Sequence, residues 1–96
     1  MLFMVIERFA GCGPVPLYRR LRDTGRSLPA GLTDVGSWIE PNFDRCFQLI
    51  DCDDARLLQE WVLSWRGSGG SFEMVPVVLS DQIRAVAAPH LDGPAP

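Results

Sequence analysis

The sequence predicts one α+β domain with the element order βαββαβ and an antiparallel sheet. Three observations carry this. Four apolar, β-favouring runs alternate with two helical periodicities, and a cluster of turn-forming residues separates most neighbouring elements. Ninety-six residues suffice for one small core, near the lower end of what is stable alone, so association with a second copy is a natural supplement.

The first strand is "MLFMVIERF", a continuous apolar run over residues 2–9. It has no basic leader and reaches Glu7 and Arg8 early, so it reads as a strand and not as a signal peptide. "GCGP" then breaks the chain, and Pro14 suits the first turn of a helix. In "PVPLYRRLRDTGR", Leu17, Tyr18 and Leu21 form one apolar stripe and Gly25 stands at the capping position. After "SLPAG", the runs "LTDVGSWIE" and "RCFQLIDC" form a hairpin around "PNFD".

The clearest helix is "DARLLQEWVLSWRG", which puts Leu57, Leu58, Trp61, Val62 and Trp65 on one face. Arg56 and Glu60 are spaced for an i,i+4 pair. "GSGGS" is a flexible connector to the last strand, "FEMVPVVL", where Pro76 confines the strand to an edge or a bulge. Ser80 can cap a short helix through Ala88. The domain is expected over residues 1–88, with "PHLDGPAP", 89–96, as a disordered tail.

This order is the split, ferredoxin-like one, with strands one and three central. Two helices cover only one face of such a sheet. Strand one nevertheless offers Leu2, Met4 and Ile6 on one side and Phe3, Val5 and Phe9 on the other. The helix-free face therefore needs a cover, and the same face of a second copy, closing a dimeric α+β barrel, is the economical one.

Composition excludes some partners. Nine arginines and no lysine stand against twelve carboxylates without a basic stripe, so nucleic acid is not an expected partner. No stretch approaches the roughly 18 apolar residues of a membrane span. Cys46 and Cys52 on one strand lie roughly 20 Å apart at about 3.3 Å per residue, too far to bridge. With Cys12 the count is odd, which predicts a reduced, cytoplasmic setting.

Among candidate sites, Asp51, Asp53 and Asp54 could suggest a metal, but they lack the alternating ligands of a calcium loop. Asp53 or Asp54 instead sits where a helix cap belongs. No metal and no cofactor are expected. His90, the sole histidine, falls in the tail, which leaves no partner for a Ser-His or Cys-His nucleophile. Cys46, without a histidine and in a strand, is a weak nucleophile.

Glu7, Arg45, Gln48 and Glu73 are polar residues in strands that neighbour one another in this fold. One reading makes them a structural network between the sheet and a partner. The other makes them a ligand cleft. There Arg45 fixes an anion, Gln48 donates or accepts a hydrogen bond, and Glu7 or Glu73 acts as acid or base, with Trp38 and Trp61 lining the walls. Trp65 could line it too, but for Trp61 and Trp65 core packing is the stronger explanation, since they share the apolar stripe of their helix.

The segments "MLFMVIERF", "GSWIE", "RCFQLIDCDD", "LLQEWVLSW" and "FEMVPVV" together resemble a bacterial family of short ferredoxin-like domains of unknown function, similar in build to dimeric α+β barrel proteins. The resemblance covers residues 1 to about 80 and departs at "RGSGGS", where the family link is more acidic and apolar. It implies the fold, a homodimer and, by analogy with similar barrels, a small-molecule pocket suited to cofactor-free acid–base or oxygenase-type chemistry. The alternative is a non-catalytic dimerisation or interaction module.

Overall fold

The computed structural model describes residues 1–9, 11, 13–25, 28–65 and 70–93, except for the side chain of Trp65. Its elements are β1 (Leu2–Arg8), α1 (Val15–Thr24), β2 (Leu32–Ile39), β3 (Arg45–Cys52), α2 (Ala55–Trp65), β4 (Ser71–Val77) and α3 (Ser80–Leu91). The strands form one antiparallel sheet in the order β2-β3-β1-β4. The architecture is α+β and compatible with the ferredoxin-like arrangement. β4, with Pro76, is an edge strand. The connector residues 67–69 lie outside the described residues, as does Cys12; Cys52 is a buried free thiol.

Register decides which side chains face the helices. Phe3 pairs with Ile50, Val5 with Gln48 and Glu7 with Cys46 on one side of β1, and Val5 with Met74 and Glu7 with Phe72 on the other. Directly paired residues share a face. The core lies on this face. Val5, Ile50 and Leu58 are almost fully buried beside Leu32, Cys52 and Trp61, and Phe3, Leu17, Leu21 and Met74 pack around them. Each such side chain contributes about 1.5–3 kcal/mol on burial. Gly31 adopts φ +93°, and a Cβ there would come within 2.7 Å of Leu57 Cδ1, so glycine lets the chain pass close to α2.

Asp54 begins α2 in the expected capping role. Its Oδ1 accepts the backbone N–H of Arg56 at 3.0 Å, and the Arg56 guanidinium donates to the same carboxylate at 2.7–3.1 Å. The side-chain hydrogen bonds of Arg56 thus run to Asp54 and not to Glu60, because the cap brings a carboxylate closer than the next helical turn does.

Two findings change the expected picture. β2 carries a bulge between Asp34 and Gly36, so Asp34 and Ser37 share the helix-facing side while Trp38 pairs with Phe47 on the other. α3 runs past Ala88 to Leu91 with Pro89 inside it, and its N-cap residue is Leu79, which makes no side-chain cap. Proline is tolerated here because the exposed last turn leaves the Ala85 carbonyl open to water. His90 is therefore helical, and residues 94–96 of the expected tail lie outside the described residues. No described helix is long and apolar enough to cross a membrane.

Candidate functional site

A cavity of about 210 Å³ lies between the sheet and the two covering helices. Three central side chains form its polar part. Glu7 comes from β1, Cys46 and Gln48 from β3, all on the helix-facing side by register. β2 adds Ser37 and Ile39. They reach the cavity because the bulge shifts the alternation by one residue, which moves every following side chain to the opposite face.

The roof is apolar. Leu17 and Leu21 descend from α1, Trp61 from α2 and Phe72 from β4, with the Trp61 and Phe72 rings tilted at 60° and 6.2 Å between centroids. Tyr18, about half exposed, stands at the mouth. The two helices are tied directly, since Arg20 Nη2 donates to the Ser64 carbonyl at 2.6 Å.

Glu7 is the distinctive group. It is half-buried, and burial pushes its carboxyl above the ordinary value of 4.5. Among the described residues no group donates a hydrogen bond to that carboxylate. Gly70 passes against it: a Cβ there would lie 3.0 Å from Glu7 Oε2 and 3.0 Å from the Arg8 carbonyl. Glycine at this position keeps the floor open around the carboxylate. A desolvated carboxyl facing an amide and a hydroxyl can anchor a ligand donor or exchange a proton with it.

The six expected ligand residues divide between the two faces. Glu7, Gln48 and Trp61 meet in the cavity, and Trp38 touches it from the edge strand, its indole lying over Gly36 and more than half exposed. Arg45 and Glu73 are on the other side. Arg45 pairs with Arg8 in register, forks onto Glu40 at 2.7 and 2.9 Å, and lies 5.1 Å from the Phe47 ring. Glu73 approaches Arg8 at 3.7 Å. Arg45 and Gln48 are three residues apart on one strand, so strict alternation separates them. The expected anion-fixing role of Arg45 beside Gln48 therefore has no common cleft to act in.

Sequence reasoning did not select Ser37, Tyr18, Ile39 or Phe72 as pocket residues. Tyr18 and Phe72 lay within reach of it, since the first continues the α1 stripe and the second has the parity of Met74. Ser37 did not, because the bulge leaves no mark in the hydrophobic pattern.

A family model spans residues 1–91 of the chain. The chain belongs to the family described as Domain of unknown function (DUF3303). No curated protein and no solved structure matches it. The family covers both the walls of the cavity and α3, so each is part of the domain that defines it.

Proposed function

We propose that this protein binds a small organic molecule, about one ring in size, in the cavity between sheet and helices, with a donor group turned to Glu7 and Gln48. The supporting observation is the composition of the site: aromatic and aliphatic walls close on a few polar groups, one of them a carboxyl raised by desolvation. The cavity is smaller than the roughly 300–1,000 Å³ that holds drug-sized ligands, so a single phenolic or amide-bearing ring suits it better than an extended cofactor. Acid–base chemistry at Glu7 is the reaction class this geometry serves.

Ligand-observed NMR against a set of simple phenols and aromatic amides tests the reading. Binding should be saturable in the parent, and Glu7→Gln and Gln48→Leu should each weaken it at least tenfold while the fold persists. Saturable binding unchanged in both variants, or no binding by any member of the set, overturns it.

One observation favours a second reading, an interaction module without chemistry. The helix-free face of the sheet carries Met4, Ile6, Phe47, Leu49 and Val75 beside the charged Arg8, Arg45 and Glu73, and no described helix packs extensively on it. Pairing with a second copy through this face is compatible with either reading, since the cavity opens on the opposite side.

A further inference from the structure

The cavity between the sheet and the helices holds a carboxyl without a counter-charge. Among the described residues Glu7 is the one carboxyl on its wall, and no arginine or histidine lies there. The other titratable side chains on the wall, Cys46 and Tyr18, are themselves acids and cannot become cations. The chain has no lysine. Its arginines serve elsewhere: Arg8, although next to Glu7, falls on the opposite face in register with Arg45, while Arg20, Arg22 and Arg56 donate to Ser64, Asp23 and Asp54. Burial accordingly raises Glu7 with no cation near enough to lower it again.

Two more oxygens stand beside that carboxyl. Ser37 is directly opposite Gln48 across β2 and β3, and Gln48 is diagonal to Glu7, whose direct partner on β3 is Cys46. Opposite residues have Cβ atoms about 4.5–5.5 Å apart and diagonal ones up to about 7–8 Å, within the joint reach of these side chains. Among the described residues none of the three side chains hydrogen-bonds to another group of the chain. Their acceptors are open to a ligand. Around them stand the rings of Tyr18, Trp61 and Phe72, and an aromatic wall attracts a cation as readily as it packs an apolar ring.

We infer that the ligand of this cavity is an organic cation: a primary amine on a short arm from one ring, its ammonium among Glu7, Gln48 and Ser37 and its ring against Trp61 and Phe72. This rests on the small-molecule reading of the cavity and narrows it from hydrogen-bond donors in general to an ammonium. An ammonium has three donors, one for each of the three oxygen-bearing side chains. It also supplies the pair that a desolvated carboxylate lacks, whereas an anionic ligand would add a second like charge to the same space. The formal net charge of −3 works in the same direction, drawing cations toward the molecule and repelling anions.

Titration calorimetry on the full chain tests it with three probes that share a ring and differ in charge: benzylamine, benzyl alcohol and benzoate. Benzylamine should bind about tenfold more tightly than benzyl alcohol, because a hydrogen bond between charged partners is about twice as strong as a neutral one, and benzoate should show no saturable binding. In Glu7→Gln the advantage of the amine over the alcohol should vanish. Gln48→Arg, which places a cation in the cavity, gives a second check and should abolish the same advantage. Glu73→Gln removes an equal charge from the opposite face and should leave benzylamine affinity at the parent's value. Phenols or amides that bind the parent while benzylamine shows no advantage over benzyl alcohol overturn the inference and leave the small-molecule reading standing. Silence from these three probes and from the phenols and amides overturns both. An advantage that survives Glu7→Gln, or one lost equally in Glu73→Gln, would trace the preference to charge outside the cavity and overturn the inference as well.

Discussion

The two faces of one sheet differ in what completes them. On the helix-facing side Val5, Ile50 and Cys52 are closed over by α2 and pack to near-complete burial. On the other side Met4, Leu49 and Phe47 are only half-buried, by one another and by neighbouring strands. Consecutive residues of β3 thus experience different surroundings although their chemistry is nearly the same. The covered face supplies stability and holds a cavity; the open face leaves comparable side chains only half-buried.

The largest effect should separate these two neighbours. Ile50 is fully buried, so Ile50→Ala should cost about 2–5 kcal/mol, a large share of the stability of a domain this small. Leu49→Ala removes a similar side chain from the open face and should cost the isolated fold clearly less, with its main effect on self-association. Urea denaturation of both variants, with sedimentation alongside, checks the contrast. Equal losses at high dilution, where only the monomer is present, would mean that the faces are energetically alike.

Much of this difference was legible in the sequence. The apolar residues of "MLFMVIERF" on both parities give the sheet apolar side chains on both faces, and the stripe Leu58–Trp61 identifies a helix that covers one of them. The site was less legible. Glu7, Gln48 and Trp61 converge as their periodicities allow, whereas Arg45 and Glu73 were grouped with them by strand adjacency without regard to parity. Trp38 reaches the cavity only from the rim of the edge strand, since a bulge near Val35 pairs it with Phe47 on the opposite side. The helix from Ser80 was legible as far as Ala88, and only its last turn went unseen, because Pro89 and the small residues after it resemble a tail.

A smaller effect comes from the two carboxyls that now belong to opposite faces. Burial raises Glu7, so the folded state disfavours its charge. Its protonated form costs nothing below the unfolded value near 4.5, and stability is lost as pH rises through the higher folded value. Glu7→Gln should therefore raise the melting temperature at neutral pH, and the gain should shrink toward zero below about pH 4, near the unperturbed glutamate value. A thermal melt series from pH 3 to 8 shows it; a variant that melts below the parent at neutral pH would mean that the carboxylate is held by partners and not merely desolvated.

Glu40 gives the opposite slope and the smallest change. The Arg45 guanidinium, hydrogen-bonded to both of its oxygens, holds its carboxyl below the ordinary 4.5. The contribution of the pair is thus present above that value and fades as pH falls through the lower folded one. Both side chains meet solvent, so water and salt screen the attraction. Arg45→Ala should leave the melting temperature at pH 7 nearly unchanged and erase only a shallow acid-side slope, an effect that half-molar salt should also remove in the parent. Because Arg45 lies across the sheet from Glu7 and Gln48, the substitution should leave phenol or amide affinity at the parent's value. A loss of ligand affinity comparable to that of Gln48→Leu would place the binding site on the open face and reverse the roles assigned to the two sides.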